Sequence, residues 1–134
     1  MSNPKANIST PDGSTRLSLV ELLRYDDPRM DTATFRLDGP ELQAASTIDA
    51  YKLEELIDDI RAVLAGTKLS AASSFGELRF ERQKSGEICV TLCGGPYLSG
   101  VRAWSCGFPA SSHAVEGFAL SLADELIATR RRAD

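Results

Sequence analysis

The stretch that most constrains the fold of this chain is residues 49–66, whose apolar side chains have the spacing of an amphipathic helix. They recur every three to four residues and form one stripe, while charged residues fill the other side. The stripe consists of Leu53, Leu56, Ile57, Ile60, Val63 and Leu64. We expect the side chain of Thr47 or Asp49 to cap the first turn by accepting a hydrogen bond from a backbone N–H. We expect Gly66 to end the helix in the left-handed conformation. Such a helix needs a flat apolar partner, which the β-like segments on both sides of it are expected to supply.

The overall composition is that of one ordinary globular domain. The chain has 134 residues, of which 43% are hydrophobic and 25% are charged, which allows a real core and is unlike a disordered or collagenous protein. No apolar run approaches the roughly 18 residues that a membrane span needs. Residues 1–15 lack the apolar segment of a secretory signal, and the three cysteines contain no C-x-x-C motif, which fits a reducing compartment. We therefore expect a cytoplasmic protein that does not bind membranes.

The net charge of −4 disfavours nucleic acid as a partner, because binding to phosphates depends on clusters of lysine and arginine. The charge is also unevenly divided along the chain. Residues 1–59 carry 12 acidic and 6 basic side chains, a net charge of −6, whereas residues 60–134 carry 7 acidic and 9 basic ones, a net charge of +2. This division is consistent with an acidic face on the folded protein.

Alternation of apolar and polar residues predicts six strands. They cover residues 16–25, 32–37, 42–48, 75–83, 87–93 and 101–106. The centre of the first strand, residues 19–23, is ambiguous between strand and helix. The segment Gly107-Phe108-Pro109 is expected to end the sixth strand. Residues 1–15 are expected to form a flexible leader and residues 67–74 a connector of small residues, so that residues 16–134 make up a single domain.

A second amphipathic helix is predicted from about Ser112 to Arg130. Its stripe consists of Val115, Phe118, Leu122 and Leu126, widened by Ala119 and Ala123. Gly117, within this helix, is expected to mark close packing against the sheet. Each half of the chain therefore has the order β-β-β-α. The predicted fold is an α+β two-layer sandwich, with a mostly antiparallel sheet of about six strands and both helices on one face.

The side chains suited to catalysis or metal binding lack the spacing that these functions need. His113 is the only histidine, and no G-x-S-x-G motif accompanies it. A zinc site made of Cys89, Cys93, Cys106 and His113 is disfavoured, because Cys89 and Cys93 are four residues apart on a strand, a span of about 13 Å. The glycine-rich segment 94–100 is followed by a strand rather than a helix, so it is predicted to be a hairpin loop. We expect no catalytic residue, no metal and no cofactor.

Four carboxylates on the charged side of the first helix form an acidic ridge, which consists of Glu54, Glu55, Asp58 and Asp59. Paired carboxylates can bind a metal or exchange protons, but on the solvent side of a helix they are usually only hydrated. The other interpretation is a docking surface for a basic protein, since such charges raise the rate and selectivity of association.

A second candidate binding surface consists of Tyr97, Arg102 and Trp104. Trp104 shares one side of its strand with Arg102, opposite Val101 and Ala103. If these two small residues face the helices, Trp104 lies on the open face of the sheet beside an arginine, the composition of a binding hot spot. If Trp104 faces inward instead, the small residues lie outside. The sequence leaves both orientations open.

Six segments together resemble one group of known proteins. They are ATFRLDGPELQAAS, LEELIDDIRAVLAG, GELRFERQ, GEICVTL, VRAWSC and FALSLADELI, within residues 16–128. Their order and apolar positions resemble the small bacterial immunity-type proteins of polymorphic toxin systems, including those called WapI-type. The resemblance implies a stoichiometric protein that binds a toxin and blocks it, and it carries over no catalytic residue.

These observations favour a non-enzymatic protein-binding domain, in the form of an immunity or inhibitor protein that uses the acidic ridge or the surface around Arg102 and Trp104. Two alternatives stay open. One is a small-molecule-binding or enzymatic domain with a pocket between sheet and helices, lined by Cys89, His113 or Tyr97. The other is a structural homodimer joined through an exposed edge or face of the sheet.

Overall fold

The computed structural model describes residues 6–98 and 101–129, and it describes the side chains of all of these except 95–98 and 101–103. Two halves of the same order follow one another, each with four strands and then a helix. The first half consists of β1 (Asn7–Ser9), β2 (Arg16–Leu23), β3 (Thr32–Asp38), β4 (Gln43–Asp49) and α1 (Leu53–Ala65). The second half consists of β5 (Ser70–Ala72), β6 (Leu78–Arg82), β7 (Ile88–Leu98), β8 (Val101–Ala110) and α2 (Ser112–Ala128).

The strands form two antiparallel sheets of four strands each, in the orders β1-β2-β3-β4 and β5-β6-β7-β8. The prediction of an α+β fold with two helices is confirmed. The prediction of one sheet of about six strands is wrong in detail. Strand β4 does lie near β7, but β7 is already paired on both sides, by β6 and by β8, so it offers β4 no free edge for a continuous sheet.

The two strands that the sequence did not predict are the shortest ones. β1 lies within the segment expected to be a flexible leader, yet its Ile8 is buried and pairs with Leu17 of β2. β5 lies within the expected connector, and its buried Ala71 pairs with Phe80 of β6. Three residues are too few to show a clear alternation. The strand beside them therefore decides their conformation.

Helix α1 buries the stripe that its sequence predicts. Its buried side chains are Leu53, Leu56, Ile57, Ile60 and Val63, while Leu64 is partly buried. Gly66 follows the helix with a φ of 83°, and its N–H closes the last turn. This left-handed position was predicted, and it favours glycine because a Cβ would be strained there.

The expected cap at the start of α1 is wrong. Lys52 occupies the position before the helix and provides no capping hydrogen bond from its side chain. Asp49 instead accepts the N–H of Tyr51 at 2.8 Å, in the turn that precedes the helix. The hydroxyl of Thr47 lies 2.8 Å from that of Thr34 on the neighbouring strand, so it is used within the sheet.

Helix α2 begins after Ser111, whose hydroxyl oxygen accepts the N–H of Ala114 at 3.1 Å. Its buried side chains are Val115, Phe118, Ala119, Leu122 and Leu126, as the sequence predicts. Gly117 is exposed, and a Cβ added to it would have no neighbouring atom within 4 Å. The expectation that Gly117 marks close packing against a sheet is therefore wrong.

Two strands depart from a regular pattern. A register shift in β2 between Leu19 and Glu21 moves the next buried position to Leu22, which explains why residues 19–23 were ambiguous. β8 continues through Pro109, which was expected to help end the strand. Proline is accommodated there because β8 is the edge strand of its sheet, where a missing N–H can face away from the neighbouring strand.

One hydrophobic core joins the helices to both sheets. Phe118 of α2 lies between the two sheets within this core. Its ring centroid is 6.3 Å from that of Phe35 on β3 and 6.0 Å from that of Phe80 on β6, distances typical of tilted aromatic pairs. Outward residues of the strands, such as Arg36 and Arg79, are exposed, so each sheet has one face in solvent.

Candidate functional site

The structure divides the acidic ridge between two sides of α1. Glu55 and Asp59 face the end of β5 and the residues that follow it, whereas Glu54 and Asp58 face α2. The four carboxylates follow one another along the helix, but a helix of 3.6 residues per turn separates neighbouring positions by about 100°. The ridge is therefore two acidic surfaces rather than one.

On the β5 side, the acidic ridge borders a small cavity. It is lined by Ile48, Asp49, Lys52, Leu53, Glu55, Leu56, Asp59, Ala72, Ser73 and Ser74. Its volume is about 100 Å³, whereas pockets for small molecules usually measure roughly 300 to 1,000 Å³. One of its carboxylates, Asp59, is already paired with the Lys68 ammonium at 2.7 Å. The cavity is thus suited to a few water molecules rather than to an organic ligand.

On the other side, an outer groove runs between the two helices, which we call the helix seam. It contains two depressions, of about 370 and 390 Å³, that share Arg61. The first is lined by Glu54, Ile57, Asp58, Arg61, Ala123, Leu126 and Ile127. The second is lined by Arg61, Leu64, Ala65, Glu116, Ala119 and Leu120. The start of α1 lies beside the end of α2, so the two helices run antiparallel.

Two large apolar side chains on α2 stand at this groove with much of their surface in water. The side chain of Leu120 is 51% exposed and that of Ile127 is 85% exposed. They are seven residues apart, which places them on the same side of the helix two turns from one another. Asp124 lies between them and is also exposed. An exposed pair of this kind, above a groove with an apolar floor, is typical of an interaction surface.

The sequence did not identify Leu120 and Ile127 as site residues, although it contained a signal for them. The predicted stripe of α2 is already complete without these two positions, and its buried residues match those in the structure. An apolar side chain that falls outside a complete stripe has no core to enter. The position of Leu120 and Ile127 outside the stripe of α2 therefore predicts that both side chains are exposed.

The helical layer is strongly acidic. α1 carries four carboxylates and one arginine, and α2 carries three carboxylates and neither lysine nor arginine. The two helices together therefore have a net charge of −6, although the whole chain has only −4, and the remainder of the chain is +2. Negative charge is concentrated on the layer that contains the helix seam.

Few of these charges are neutralised within the groove. Arg61 Nη1 lies 3.8 Å from Asp58 Oδ1 on the same helix, and both side chains are at least half exposed, so this pair contributes little. Among the residues that the structure describes, Glu54, Glu116 and Asp124 form no ion pair within 4 Å. Within the described part of the chain, the rim of the helix seam therefore presents carboxylates that have no cationic partner.

At the second predicted surface, the structure has the inward orientation of Trp104, one of the two that the sequence left open. Trp104 lies on the same side of β8 as the buried Phe108, is half-buried and packs against the core. Its ring covers Gly94 on the neighbouring strand, where an added Cβ would lie 2.7 Å from Cζ2 of the indole. The interpretation in which Trp104 lies on the open face is therefore wrong, because alternation along β8 directs it toward the core.

The backbone positions of Tyr97 and Arg102 pair with one another across β7 and β8, but their side chains lie outside the described residues. β7 extends to Leu98, so much of the segment predicted to be a hairpin loop is strand. Residues 99–100 also lie outside the described part of the chain. The described lining residues of the small cavity and of the two depressions in the helix seam include none from β7 or β8. The structure therefore does not join the surface around Trp104 to the acidic ridge.

The cysteines and the histidine are dispersed. Cys89 pairs with Pro109 and Cys106 with Leu92 across β7 and β8, so the two cysteines are not opposite one another. All three cysteines are free thiols, with Cys93 buried. Within the described residues, no group of three or more His, Cys, Asp or Glu side chains is placed to hold a metal.

Within the described residues, neither helix is both long and apolar enough to cross a membrane. Comparison of the chain with protein-family models, with curated proteins and with solved structures finds no match. The function must therefore be inferred from the surface of the molecule, where the helix seam combines exposed apolar side chains with carboxylates that have no ion pair among the described residues.

Proposed function

We propose that this protein is a non-enzymatic binding domain whose partner is another protein, and that the helical layer is its contact surface. The observation that carries the proposal is the net charge of −6 on α1 and α2, next to the exposed Leu120 and Ile127. Exposed apolar side chains among charges that are mainly of one sign suit a specific protein partner, because the apolar contacts supply affinity and the charges supply rate and selectivity. The exception in the helix seam is Arg61, which lines both depressions.

The resemblance of the apolar segments to small bacterial immunity-type proteins gives the proposal a more specific form. In that form the partner is a toxin, and the protein binds it stoichiometrically and blocks it in the cytoplasm. An acidic contact surface fits this role best if the surface of the toxin that is blocked is basic. The acidic ridge then contributes Glu54 and Asp58, the two carboxylates that line the helix seam.

The alternative of a small-molecule-binding or enzymatic domain has less support from the geometry. The cavity beside α1 has a volume of only about 100 Å³. The two depressions of the helix seam are larger, about 370 and 390 Å³, but their described lining residues all belong to the two helices, so they do not lie between sheet and helices. Of the residues suggested for such a pocket, Cys89 lies on β7 and the exposed His113 lies in the first turn of α2, and neither lines the cavity beside α1. The side chain of Tyr97 lies outside the described residues.

The alternative of a homodimer through an exposed edge or face of the sheet stays a proposal. A homodimer through the helical layer would bring two surfaces of the same negative sign together, which is unfavourable.

The proposal is tested by mixing the purified protein with proteins encoded beside its gene and measuring complex formation by isothermal titration calorimetry. We expect a one-to-one complex that weakens as salt is raised from about 0.05 to about 0.5 M, because exposed charges are screened at high ionic strength. For a toxin partner, we expect the activity of the toxin to fall to zero at one equivalent. If no neighbouring protein binds, and a metabolite panel instead raises the melting temperature, the protein is a small-molecule-binding domain and the proposal is wrong.

A further inference from the structure

We infer that the helix seam binds an amphipathic α-helix of the partner protein, with its apolar side chains in the two depressions and lysine or arginine at its flanks. This inference rests on the proposed function and specifies the part of the partner that is recognised. It is based on the length of the groove, the spacing of its exposed apolar residues and the sign of its rim.

The length of the groove suits a helix of about three turns. The lining residues on α1 extend from Glu54 to Ala65, and a rise of about 1.5 Å for each of the eleven steps between them gives a length of roughly 17 Å. The two depressions lie one after the other along this distance and share Arg61. A groove of this shape accepts side chains that repeat along one side of an elongated ligand, as the i, i+3, i+4 and i+7 positions of a helix do.

The apolar contacts have the same repeat on this protein. Leu120 lines one depression and Ile127 lines the other, seven residues apart on α2. Between and beneath them the floor is built of Ile57, Leu64, Ala119, Ala123 and Leu126. The alanines keep the floor low, so large apolar side chains of a third helix can enter. The arrangement would complete a three-helix layer, with a distance of about 8 to 10 Å between packed helix axes.

The charge of the rim decides which helix fits. Glu54 and Glu116 line the groove without ion-pair partners among the described residues. A partner with lysine or arginine beside its apolar stripe would pair with these carboxylates, and an acidic one would be repelled. The same argument disfavours a second copy of this chain, whose helical layer has the same net charge of −6.

The test uses designed peptides and the full-length protein. The probe is an 18-residue peptide with leucine at i, i+3, i+7 and i+10 and lysine at the flanking positions. One control peptide replaces lysine by glutamate, and another has the same composition in an order that distributes leucine around the helix. We expect fluorescence anisotropy to show binding of the probe at least about tenfold tighter than of either control.

Protein variants locate the binding site. Replacing Leu120 and Ile127 by serine should weaken binding of the probe by about tenfold or more, and Glu116→Lys, at a carboxylate that lines the groove, should weaken it as well. The matched controls are Leu69→Ser and Glu81→Lys, which change exposed residues outside the helix seam and should alter binding by less than about twofold. If the double variant is unfolded by circular dichroism, amide chemical-shift changes on the unaltered protein replace it, and they should map to α1 and α2.

Several outcomes would overturn the inference. Equal binding of the acidic peptide, or shift changes confined to β7 and β8, would exclude a basic helix in the groove. A dimer of the unaltered protein that dissociates in Leu120→Ser would identify a second copy as the occupant. If replacing Arg130, Arg131 and Arg132 by glutamine tightens probe binding about tenfold, the occupant is the end of this chain itself.

Failure of the inference and failure of the proposed function can be told apart. A neighbouring protein that forms a one-to-one complex, unaffected by the changes at Leu120 and Ile127, would leave the proposed function in place and remove only the helix seam as its site. If no protein complex forms but the basic peptide binds tightly and selectively, the helix seam remains a binding site for a basic helix and the proposed function is wrong.

Discussion

Arg82 of β6 binds the carboxyl end of α1 through the carbonyl of Val63, to which its Nε and Nη2 donate at 3.1 and 2.6 Å. Nη2 also donates to the carbonyl of Leu64 at 2.8 Å. The last four carbonyls of a helix lack partners within the helix, and a cation there is favourable with respect to the helix dipole. An arginine from the second half of the chain thus stabilises the helix of the first half.

The other helix has a corresponding contact in the opposite direction. Arg24, which follows β2, donates through Nη1 to the carbonyl of Leu126 near the end of α2. Its Nε lies 3.6 Å from the buried Asp31 carboxylate. Each half of the chain therefore supplies an arginine to the helix of the other half, which makes the two halves depend on one another for stability.

The first prediction concerns the contact of Arg82 with α1. Arg82→Ala removes three hydrogen bonds, so that the Leu64 carbonyl loses its side-chain donor and the Val63 carbonyl keeps only the N–H of Gly66. The free energy of unfolding should therefore fall by about 1 to 3 kcal/mol. Arg82→Lys should recover only part of this, because an ammonium lacks the fork that reaches two carbonyls. Urea unfolding followed by circular dichroism measures both values.

The matched control is Arg79→Ala, at an exposed position of the same strand, which should change the free energy of unfolding by less than about 0.5 kcal/mol. If Arg79→Ala and Arg82→Ala lower the free energy of unfolding equally, the hydrogen bonds of Arg82 to α1 do not stabilise the protein.

Contacts such as that of Arg82 with α1 show which parts of the fold the sequence reveals and which it does not. Helix α1 and its end at Gly66 follow from spacing and backbone preference within one stretch, so they could be predicted. The arginine contacts join residues 19 and 102 positions apart, and no local pattern marks them. The short strand β1 was missed for the same reason, because its conformation depends on pairing with β2.

The candidate site was predicted in part. The acidic ridge is visible in the sequence because Glu54 and Asp58 belong to one helix, and a helical repeat places them on one side. The helix seam is not visible, because it requires α2 to lie antiparallel beside α1, and relative placement is a tertiary property. The orientation of Trp104 was left open for a related reason, since the alternation of β8 continues through a proline that was expected to end it.

The second prediction compares two glycines near the helices. Gly117 is exposed, has no neighbour within 4 Å of an added Cβ and lies within α2, so Gly117→Ala should stabilise the protein by about 0.5 to 1 kcal/mol. Gly66 also has space around it but has a φ of 83°, and Gly66→Ala should therefore destabilise the protein by about 1 kcal/mol. Thermal unfolding of both variants should give shifts of opposite sign, and shifts of the same sign would contradict the assigned backbone conformations.

The third prediction concerns the turn between β1 and β2. Hydrogen bonds to its carboxylate from the Thr10 hydroxyl, and then from the backbone and hydroxyl of Ser14, lower the pKa of Asp12 from 3.8 to about 2. A carboxyl with a lowered pKa in the folded state adds stability above pH 3.8, and this contribution is lost as the pH falls toward 2. Titration of the Asp12 carboxyl carbon by NMR should give a midpoint near 2.

Asp12→Asn provides the control for this turn. The difference in stability between the unaltered protein and Asp12→Asn should be constant above about pH 5 and shrink between pH 4 and 2. A midpoint at the ordinary value of 3.8 would mean that the three hydrogen bonds are absent in solution.

The fourth prediction concerns Gly94 and Trp104, the only tryptophan of the chain. An added Cβ at Gly94 would lie 2.7 Å from Cζ2 and 2.9 Å from Cε2 of the indole, closer than carbon atoms approach one another. Because Trp104 is half-buried, its ring can yield by moving toward solvent. Gly94→Ala should therefore shift the fluorescence emission to longer wavelength, increase quenching by acrylamide and lower the free energy of unfolding by about 1 to 3 kcal/mol.

Gly117→Ala is the matched control, because it adds the same methyl group at a site in open space and should leave the emission unchanged. The alternative orientation, with Trp104 on the open face of its sheet, would leave no contact between the indole and Gly94. Emission and quenching that are the same in Gly94→Ala as in the unaltered protein would support that orientation, and the surface around Trp104 would then again be available to a partner.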